Sequence, residues 1–285
     1  MQINNEENII SISKTGLKRK TTDKFYTSSL IVDKCIELIK NNINIENNDL
    51  CIEPSAGNGS FINSIKSIFK NYKFYDLEPE NKEITKLDYL EYNHNKYINN
   101  ITGKIHVIGN PPFGRQSSLA IKFIKKSTEY CDSISFILPK SFKKESLKRH
   151  FPHNFHIICE YDLPRNGFLV EEKEYDVPCV FQIWIKKENN RVIPVKLIPN
   201  NYKFVKKTEN HDISFRRVGI NAGDIDKITE NKSIQSHYFI KFEIKLTDDL
   251  FNKLKNIDYD CKNNTCGPKS ISKQEVIWEF NKLII

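Results

Sequence analysis

Between residues 28 and 139 the chain alternates short apolar runs with amphipathic stretches, and this alternation restricts its fold more than any other feature. Leu50-Cys51-Ile52, Lys73-Phe74-Tyr75, Ile105-His106-Val107-Ile108 and Ile134-Ser135-Phe136-Ile137-Leu138 read as strands. Between them, Leu30, Ile31, Cys35, Leu38 and Ile39 recur at helical spacing, as do Phe61, Ile62, Ile65 and Phe69, and then Leu119, Ala120, Phe123 and Ile124. Strands separated by helices join through right-handed crossovers, so the expected architecture is α/β, a doubly wound and mostly parallel sheet. Lys140 to Arg149 reads as a basic helical segment. Two further strands, Phe155 to Tyr161 and Val177 to Ile185, follow without a helix between them, which predicts an antiparallel closing hairpin.

A chain of 285 residues has room for one large domain and a small one. Residues 1–22 are polar, with a basic knot at Lys18-Arg19-Lys20, and are expected to be a flexible basic arm. The main domain is expected over 23–190, ending at the turn and charge cluster Lys186-Lys187-Glu188-Asn189-Asn190-Arg191. Residues 191–285 form the expected small C-terminal α+β subdomain, with short strands near 192–198, 202–205, 215–219 and 238–244 and a helix from about Asp248 to Leu254.

Composition excludes several classes. With 39% hydrophobic and 11% aromatic residues the chain is globular rather than disordered. Its apolar runs are short and its N-terminus is polar, so no signal peptide or membrane span is expected, and the protein is read as soluble and cytoplasmic. Seven cysteines without a C-x-x-C pair read as reduced thiols, and Cys261 and Cys266, with no nearby His, predict no metal site. A net charge of +8 suits a polyanionic partner.

The turns that close the strands carry the chemistry. Ligands of open α/β sheets sit at the C-terminal strand ends. The first strand ends in Glu53-Pro54-Ser55-Ala56-Gly57-Asn58-Gly59-Ser60-Phe61, where small residues let a ligand approach the backbone ahead of a helix. It lacks the third glycine of a dinucleotide fingerprint. The second strand ends in Asp76-Leu77-Glu78, placing an acid to accept ribose hydroxyls, with Asp76 preferred because it lies nearer the strand end. Asp88-Tyr89-Leu90 adds an acid beside an aromatic, suited to an adenine ring and its amino group. The third strand is stopped by two prolines in Asn110-Pro111-Pro112-Phe113, which joins an amide, a stiffened carbonyl and an aromatic face. Further on, Lys203, Lys206, Lys207, Arg216 and Arg217 interleave with Tyr202, Phe204 and Phe215, a mixture suited to a nucleic-acid strand.

This series resembles the S-adenosylmethionine-dependent adenine-N6 methyltransferases of the gamma motif order, over roughly residues 24–186. The resemblance implies a Rossmann-like class I methyltransferase sheet, mostly parallel with its last strand antiparallel, and S-adenosylmethionine as cofactor. Phe25-Tyr26-Thr27 resembles the family's first cofactor segment, Glu53 to Phe61 its glycine motif, Asp76-Leu77 its ribose-binding acid and Asp88-Tyr89 its adenine-binding pair. Asn110-Pro111-Pro112-Phe113 matches the catalytic tetrapeptide, with Asn110 also beside the cofactor. Phe168 falls where an aromatic lines the base pocket, so Phe113 and Phe168 are expected to cover the two faces of the base. Outside the matched stretch, the basic and aromatic mixture of the tail makes Arg216 and Arg217 expected substrate contacts. The implied partner is nucleic acid, DNA ahead of RNA, with no metal. RNA adenine methyltransferases and protein glutamine-N5 methyltransferases share the motif series. A non-catalytic nucleic-acid-binding subunit that keeps the fold is the alternative from another class.

Overall fold

The computed structural model describes residues 26–97, 101–165, 167–170 and 173–284; the basic arm and Phe25 lie outside the described residues. The first part of the chain runs β1 (Tyr26–Thr27), α1 (Ser29–Asn42), β2 (Leu50–Glu53), α2 (Ile62–Lys66), β3 (Asn71–Asp76), β4 (Thr85–Lys86), α3 (His94–Tyr97) and β5 (Ile105–Gly109). It continues through α4 (Ser118–Thr128), β6 (Ser133–Pro139), α5 (Glu145–Lys148), β7 (Phe155–Asp162), the short pair β8 (Phe168–Val170) and β9 (Lys173–Tyr175), and β10 (Cys179–Lys186).

Seven of these strands form one sheet in the order β4-β3-β2-β5-β6-β10-β7. The pairs from β4 to β6 are parallel, and β10 lies antiparallel to both β6 and β7. This is the Rossmann-like, mostly parallel sheet with its last strand antiparallel that the sequence led us to expect. Strands β5 and β6 are buried along their whole length, which is why they read as near-continuous apolar runs. Period-2 alternation sorts their side chains: Cys51, Ile108, Ile137 and Phe181 pack under α1 and α2, and Ile52, Val107, Phe136 and Trp184 pack under α4.

Polar side chains interrupt both runs: Ser135 Oγ is buried with no hydrogen-bond partner among the described residues, whereas His106 and Ser133 meet each other. His106 Nδ1 lies 2.7 Å from Ser133 Oγ, and its Nε2 lies 3.1 Å from Asp49 Oδ2. Asp49 also accepts from the N–H groups of Glu46 and Lys104. Burial holds the imidazole below its ordinary pKa, against the pull of Asp49. Against burial, hydrogen bonds from the Glu46 and Lys104 N–H groups and from His106 hold the Asp49 carboxyl below the usual carboxylate range, so the clasp at the N-terminal ends of β5 and β6 joins a carboxylate to a neutral imidazole.

The rest of the chain adds β11 (Tyr202–Val205), β12 (Ile213–Arg216), β13 (Ile225–Asp226), β14 (His237–Phe242), α6 (Asp248–Lys255) and α7 (Lys273–Leu283). The strands form an antiparallel sheet, β11-β14-β12-β13, over a core of its own that includes Tyr202, Phe215, Ile240, Val276 and Phe280. Three expectations are corrected here. The segment 192–198 is an extended strap instead of a strand, pinned where Leu197 exchanges hydrogen bonds of 2.8 and 3.1 Å with the Gln274 amide. Lys140 to Arg149 is a 3-10 turn followed by the single turn α5 rather than a helix. Helix α7 was not anticipated, although Ser272 and Glu275 form a capping box at its start.

The small sheet is fastened to the C-terminal edge of the large one. Lys144, just past β6, donates to the Ser270 carbonyl at 2.7 Å and pairs with Glu275 at 3.2 Å. The Cys266 thiol donates to the Pro178 carbonyl at 2.8 Å, beside the pairing of Cys179 with Pro139.

Arg191, read from sequence as part of a polar linker, is a keystone of the large sheet. Its guanidinium donates to the carbonyls of Lys148, Phe151, Pro152 and Phe155 and lies 5.3 Å from the centre of the Trp184 ring. Arg191→Ala leaves four carbonyls without that donor and is expected to lower stability by about 1.5–3 kcal/mol, read from the urea midpoint. Among the described residues no helix is long and apolar enough to cross a membrane.

Candidate functional site

Strand order reverses between β2 and β5, because the chain builds outward to β3 and β4 first and then to β5 and β6 on the other side. A cleft of about 980 Å³ opens there, outside the strand ends. Its floor is made by the turn after β2. Gly57 and Gly59 hold φ of +54° and +91°, and a Cβ on Gly59 would lie 2.7 Å from Ile62 Cδ1, so the turn can close only on a glycine.

The turn and the end of β3 are built together. The Gly57 N–H donates to Asp76 Oδ2 at 2.8 Å, and Asp76 Oδ1 accepts from the Glu78 N–H at 2.8 Å. The Asp76 carboxylate is thus fixed at the cleft wall by two backbone donors. At the far end, Asp88 accepts from the Leu90 N–H at 2.9 Å and sets the turn that presents Tyr89 and Leu90. The Tyr89 hydroxyl is tied beneath by Ser127, at 2.8 Å, and by Tyr130.

Asn110 stands at the end of β5. Its Nδ2 donates to Thr27 Oγ1 at 3.2 Å, and its backbone carbonyl accepts from the Ser55 hydroxyl at 3.2 Å. Thr27 is held in turn by β1, which pairs with β8. The amide is therefore oriented by a segment 83 residues away in sequence.

Glu53 is the least ordinary group in the cleft. It is only 2% exposed, and its Oε2 is buried with no hydrogen-bond partner. Burial, and then the charge of Asp76, push its carboxyl up to about 8. Gly109, at φ +151°, makes room for it: a Cβ there would lie 3.2 Å from Glu53 Cγ. With Asp76, Glu78, Glu80 and Asp88 also on the wall, Arg115 is the only basic one among the described residues that line the cleft.

Most of the residues singled out from sequence meet here: Tyr26, Thr27, Glu53, Pro54, Ser55, Ala56, Gly57, Asn58, Phe61, Asp76, Leu77, Asp88, Tyr89, Asn110 and Pro112 all line the cleft. Others do not. Gly59 and Pro111 are not among the lining residues, although Pro111 lies between Asn110 and Pro112, which are. Phe113 and Phe168, expected to cover a base, are 7% and 1% exposed and belong to the core beneath α1. For Phe168 the reason is the β1–β8 pairing, which sets it opposite Thr27 in a strand rather than in a loop. Arg216 and Arg217 do not line the cleft, and their side chains reach carbonyls of nearby loops. Arg216 Nε donates to the Val218 carbonyl at 3.1 Å, and Arg217 donates to the Gln235 carbonyl at 2.8 Å.

Glu80, Arg115, Gln116, Leu119 and Phe123 also line the cleft and were not foreseen as site residues. Glu80 accepts from the Tyr26 hydroxyl at 2.5 Å. Arg115 and Gln116 reach the wall through a turn in which Gln116 and Ser117 hold φ of 53° and 63°. Neither is a residue type that announces a left-handed conformation, so nothing in the sequence marked that turn.

No family model matches the sequence, and no curated protein does. Solved structures are similar in fold. PH1948 of Pyrococcus horikoshii, assigned provisionally as an RNA methyltransferase, is 15% identical with a TM-score of 0.46, over 60% of this chain and 92% of that one. Protein 1320 of Thermoplasma acidophilum is 18% identical with a TM-score of 0.40, over 57% of this chain and 88% of that one. The 23S rRNA methyltransferase ErmE is 11% identical with a TM-score of 0.42, over 59% and 71%. At these values the likeness transfers no residue role to this chain.

Proposed function

We propose that the cleft binds S-adenosylmethionine and that the chain transfers its methyl group to the N6 amine of adenine in a nucleic acid, DNA ahead of RNA. One observation carries the cofactor reading: a buried carboxyl with an unpartnered oxygen, Glu53, in a wall of acids at the switch point of the sheet. A pyrophosphate would face Glu53, Asp76, Glu78, Glu80 and Asp88 with Arg115 alone among the described lining residues to offset them. An adenosine that carries cationic sulfonium and ammonium groups instead complements that wall. Asp76, already oriented, accepts ribose hydroxyls. Leu77, Tyr89 and Leu90 provide apolar contact for the adenine ring.

The bound cofactor supplies an electrophilic methyl group. The residues supply placement. An aromatic amine is a poor nucleophile because its lone pair is delocalised into the ring. The Asn110 side-chain oxygen and the Pro111 carbonyl accept from its two N–H groups, draw the nitrogen toward tetrahedral geometry and localise the pair. Pro112, rather than the buried Phe113, is the motif's apolar contact at the cleft wall. When the C–S bond breaks and the N–C bond forms, the nitrogen becomes a cation that sheds one proton to water, so no strong base is required. Residues 191–285 serve in this reading as the substrate-recognition part.

Asp76→Ala is expected to weaken cofactor binding about 10- to 100-fold, the cost of losing hydrogen bonds to a charged acceptor, and titration calorimetry reads it. An unchanged affinity removes Asp76 from the ribose site. Incubating the chain with labelled cofactor and separate DNA, RNA and protein pools tests the whole reading. Label in adenine N6 of DNA is expected; label in RNA corrects the substrate, label in protein glutamine points to the related enzymes, and label in none favours a scaffold.

A further inference from the structure

A second, smaller concavity lies on the C-terminal sheet, and we propose that it seats a single-stranded stretch of the nucleic-acid substrate, stacking a base on Phe204 and Tyr238 and holding phosphates with Lys206 and Lys273. This rests on the nucleic-acid reading above and extends it to a site that reading does not use. The concavity has a volume of about 360 Å³ and is formed by the end of β11, the start of β14 and the start of α7. Among the described residues no acidic one lines it.

The lysines there are in different situations. Lys207 Nζ is occupied, donating to the carbonyls of Glu230 and Lys232 at 2.7 Å each. Lys273 Nζ instead stands 4.9 Å from the centre of the Phe204 ring and 5.6 Å from that of Tyr238. Among the described residues neither Lys206 Nζ nor Lys273 Nζ has an ion pair or hydrogen bond. Elsewhere on the same sheet lysines are neutralised, as Lys232 is by Asp226 and Lys241 by Asp212. Phe204 and Tyr238 meet edge to face, 5.5 Å apart at 84°, and both are half-buried. An ammonium over aromatic faces, without a carboxylate, is the combination that takes a base and its phosphate together.

His237, buried in the wall, is held below its ordinary pKa by burial and by the charges of Arg216, Lys232 and Lys207, against its bond to Ser233. Position favours the same partner. Two residues beyond Lys273, Glu275 is paired with Lys144, which follows β6, the strand beside the one that ends at Asn110. The concavity thus belongs to the part of the molecule fastened along the edge that carries the amine site. Arg216 and Arg217, the cations first expected to meet substrate, already donate to the Val218 and Gln235 carbonyls, and Arg217 lies 5.5 Å from the centre of the Tyr238 ring.

The test is fluorescence anisotropy with the full chain and labelled single-stranded DNA and RNA, without cofactor, across a salt series. Lys206→Ala/Lys273→Ala is expected to weaken binding about tenfold at moderate salt and to flatten the slope of log K against log salt by about 1.4, two contacts at about 0.7 each. Lys40→Ala/Lys245→Ala removes the same charge from exposed positions elsewhere and is expected to do neither. Phe204→Leu is expected to lower affinity with the slope unchanged. Equal losses in both double variants would mean general attraction and overturn the proposal, as would an acidic peptide that displaces the oligonucleotide when unlabelled oligonucleotide does not. If no pool is methylated but the lysine pair alone weakens binding, the seat stands and the methyl-transfer reading falls.

Discussion

Replacing Asn110 by Ala is expected to lower the single-turnover rate of methyl transfer about 10²- to 10³-fold, the usual effect of removing one preorganised polar group, about 2.7–4 kcal/mol. Cofactor affinity should stay close to that of the intact chain, because the groups assigned to the cofactor lie on other elements: Asp76 on β3, Asp88 beyond β4 and Glu53 on β2. The loss should appear in the chemical step and not in KM for cofactor. Thr27→Val separates orientation from chemistry. It keeps the Asn110 oxygen but removes the hydroxyl that receives its Nδ2 at 3.2 Å, so the amide loses that restraint. A smaller fall, about tenfold, is expected there, since it loses placement but not the acceptor. Rapid-quench assays with labelled cofactor measure both rates. An Asn110→Ala chain that turns over normally would dismiss the amide from the mechanism.

The site was legible in sequence where covalent neighbours decide geometry. Strands β2, β3 and β5 end in residues that stop a ladder or turn the chain, Pro54 after Glu53 and two prolines after Asn110, so their C-terminal ends could be placed to within a residue. Legibility stopped where tertiary pairing decides. A phenylalanine after two prolines reads equally as a stacking face or a core side chain, and only the neighbours of Phe113, and the pairing of β8 with β1, send it and Phe168 inward. Charges mislead in the same way: Arg191, in a run that reads as polar linker, donates to four carbonyls that no sequence pattern reveals. The apolar run at 192–198 looked like a strand, but Pro194 within it and Pro199 just after deny it a ladder, and Val192 and Val195 are 93% and 84% exposed. The signal for α7 was present, a serine three residues before a glutamate and an apolar run, and was overlooked.

Glu53→Gln is expected to stabilise the ligand-free chain while weakening its hold on the cofactor, and the sign follows from where the proton sits. A carboxyl raised to about 8 in the fold, against an unfolded value of 4.5, keeps its proton in the native state after the unfolded state has lost it. The native chain therefore binds more protons between those values, and stability falls as pH rises from about 4.5 to 8. At pH 7 the penalty is about 3 kcal/mol, from roughly 2.5 units at 1.36 kcal/mol each. Glutamine cannot ionise, so the variant should melt higher at pH 7, and its advantage should disappear near pH 4. Binding runs the opposite way. A cationic cofactor favours the charged carboxylate, so loading the intact chain below pH 8 should release a proton and affinity should climb with pH. Calorimetry in buffers of different ionisation enthalpy reads that proton directly. The Gln variant should show neither the release nor the pH slope, and its affinity should be at least about tenfold weaker, as for one lost charged hydrogen bond. Equal proton release from both proteins would place the titrating group elsewhere and leave the unpartnered oxygen of Glu53 without a role in cofactor recognition.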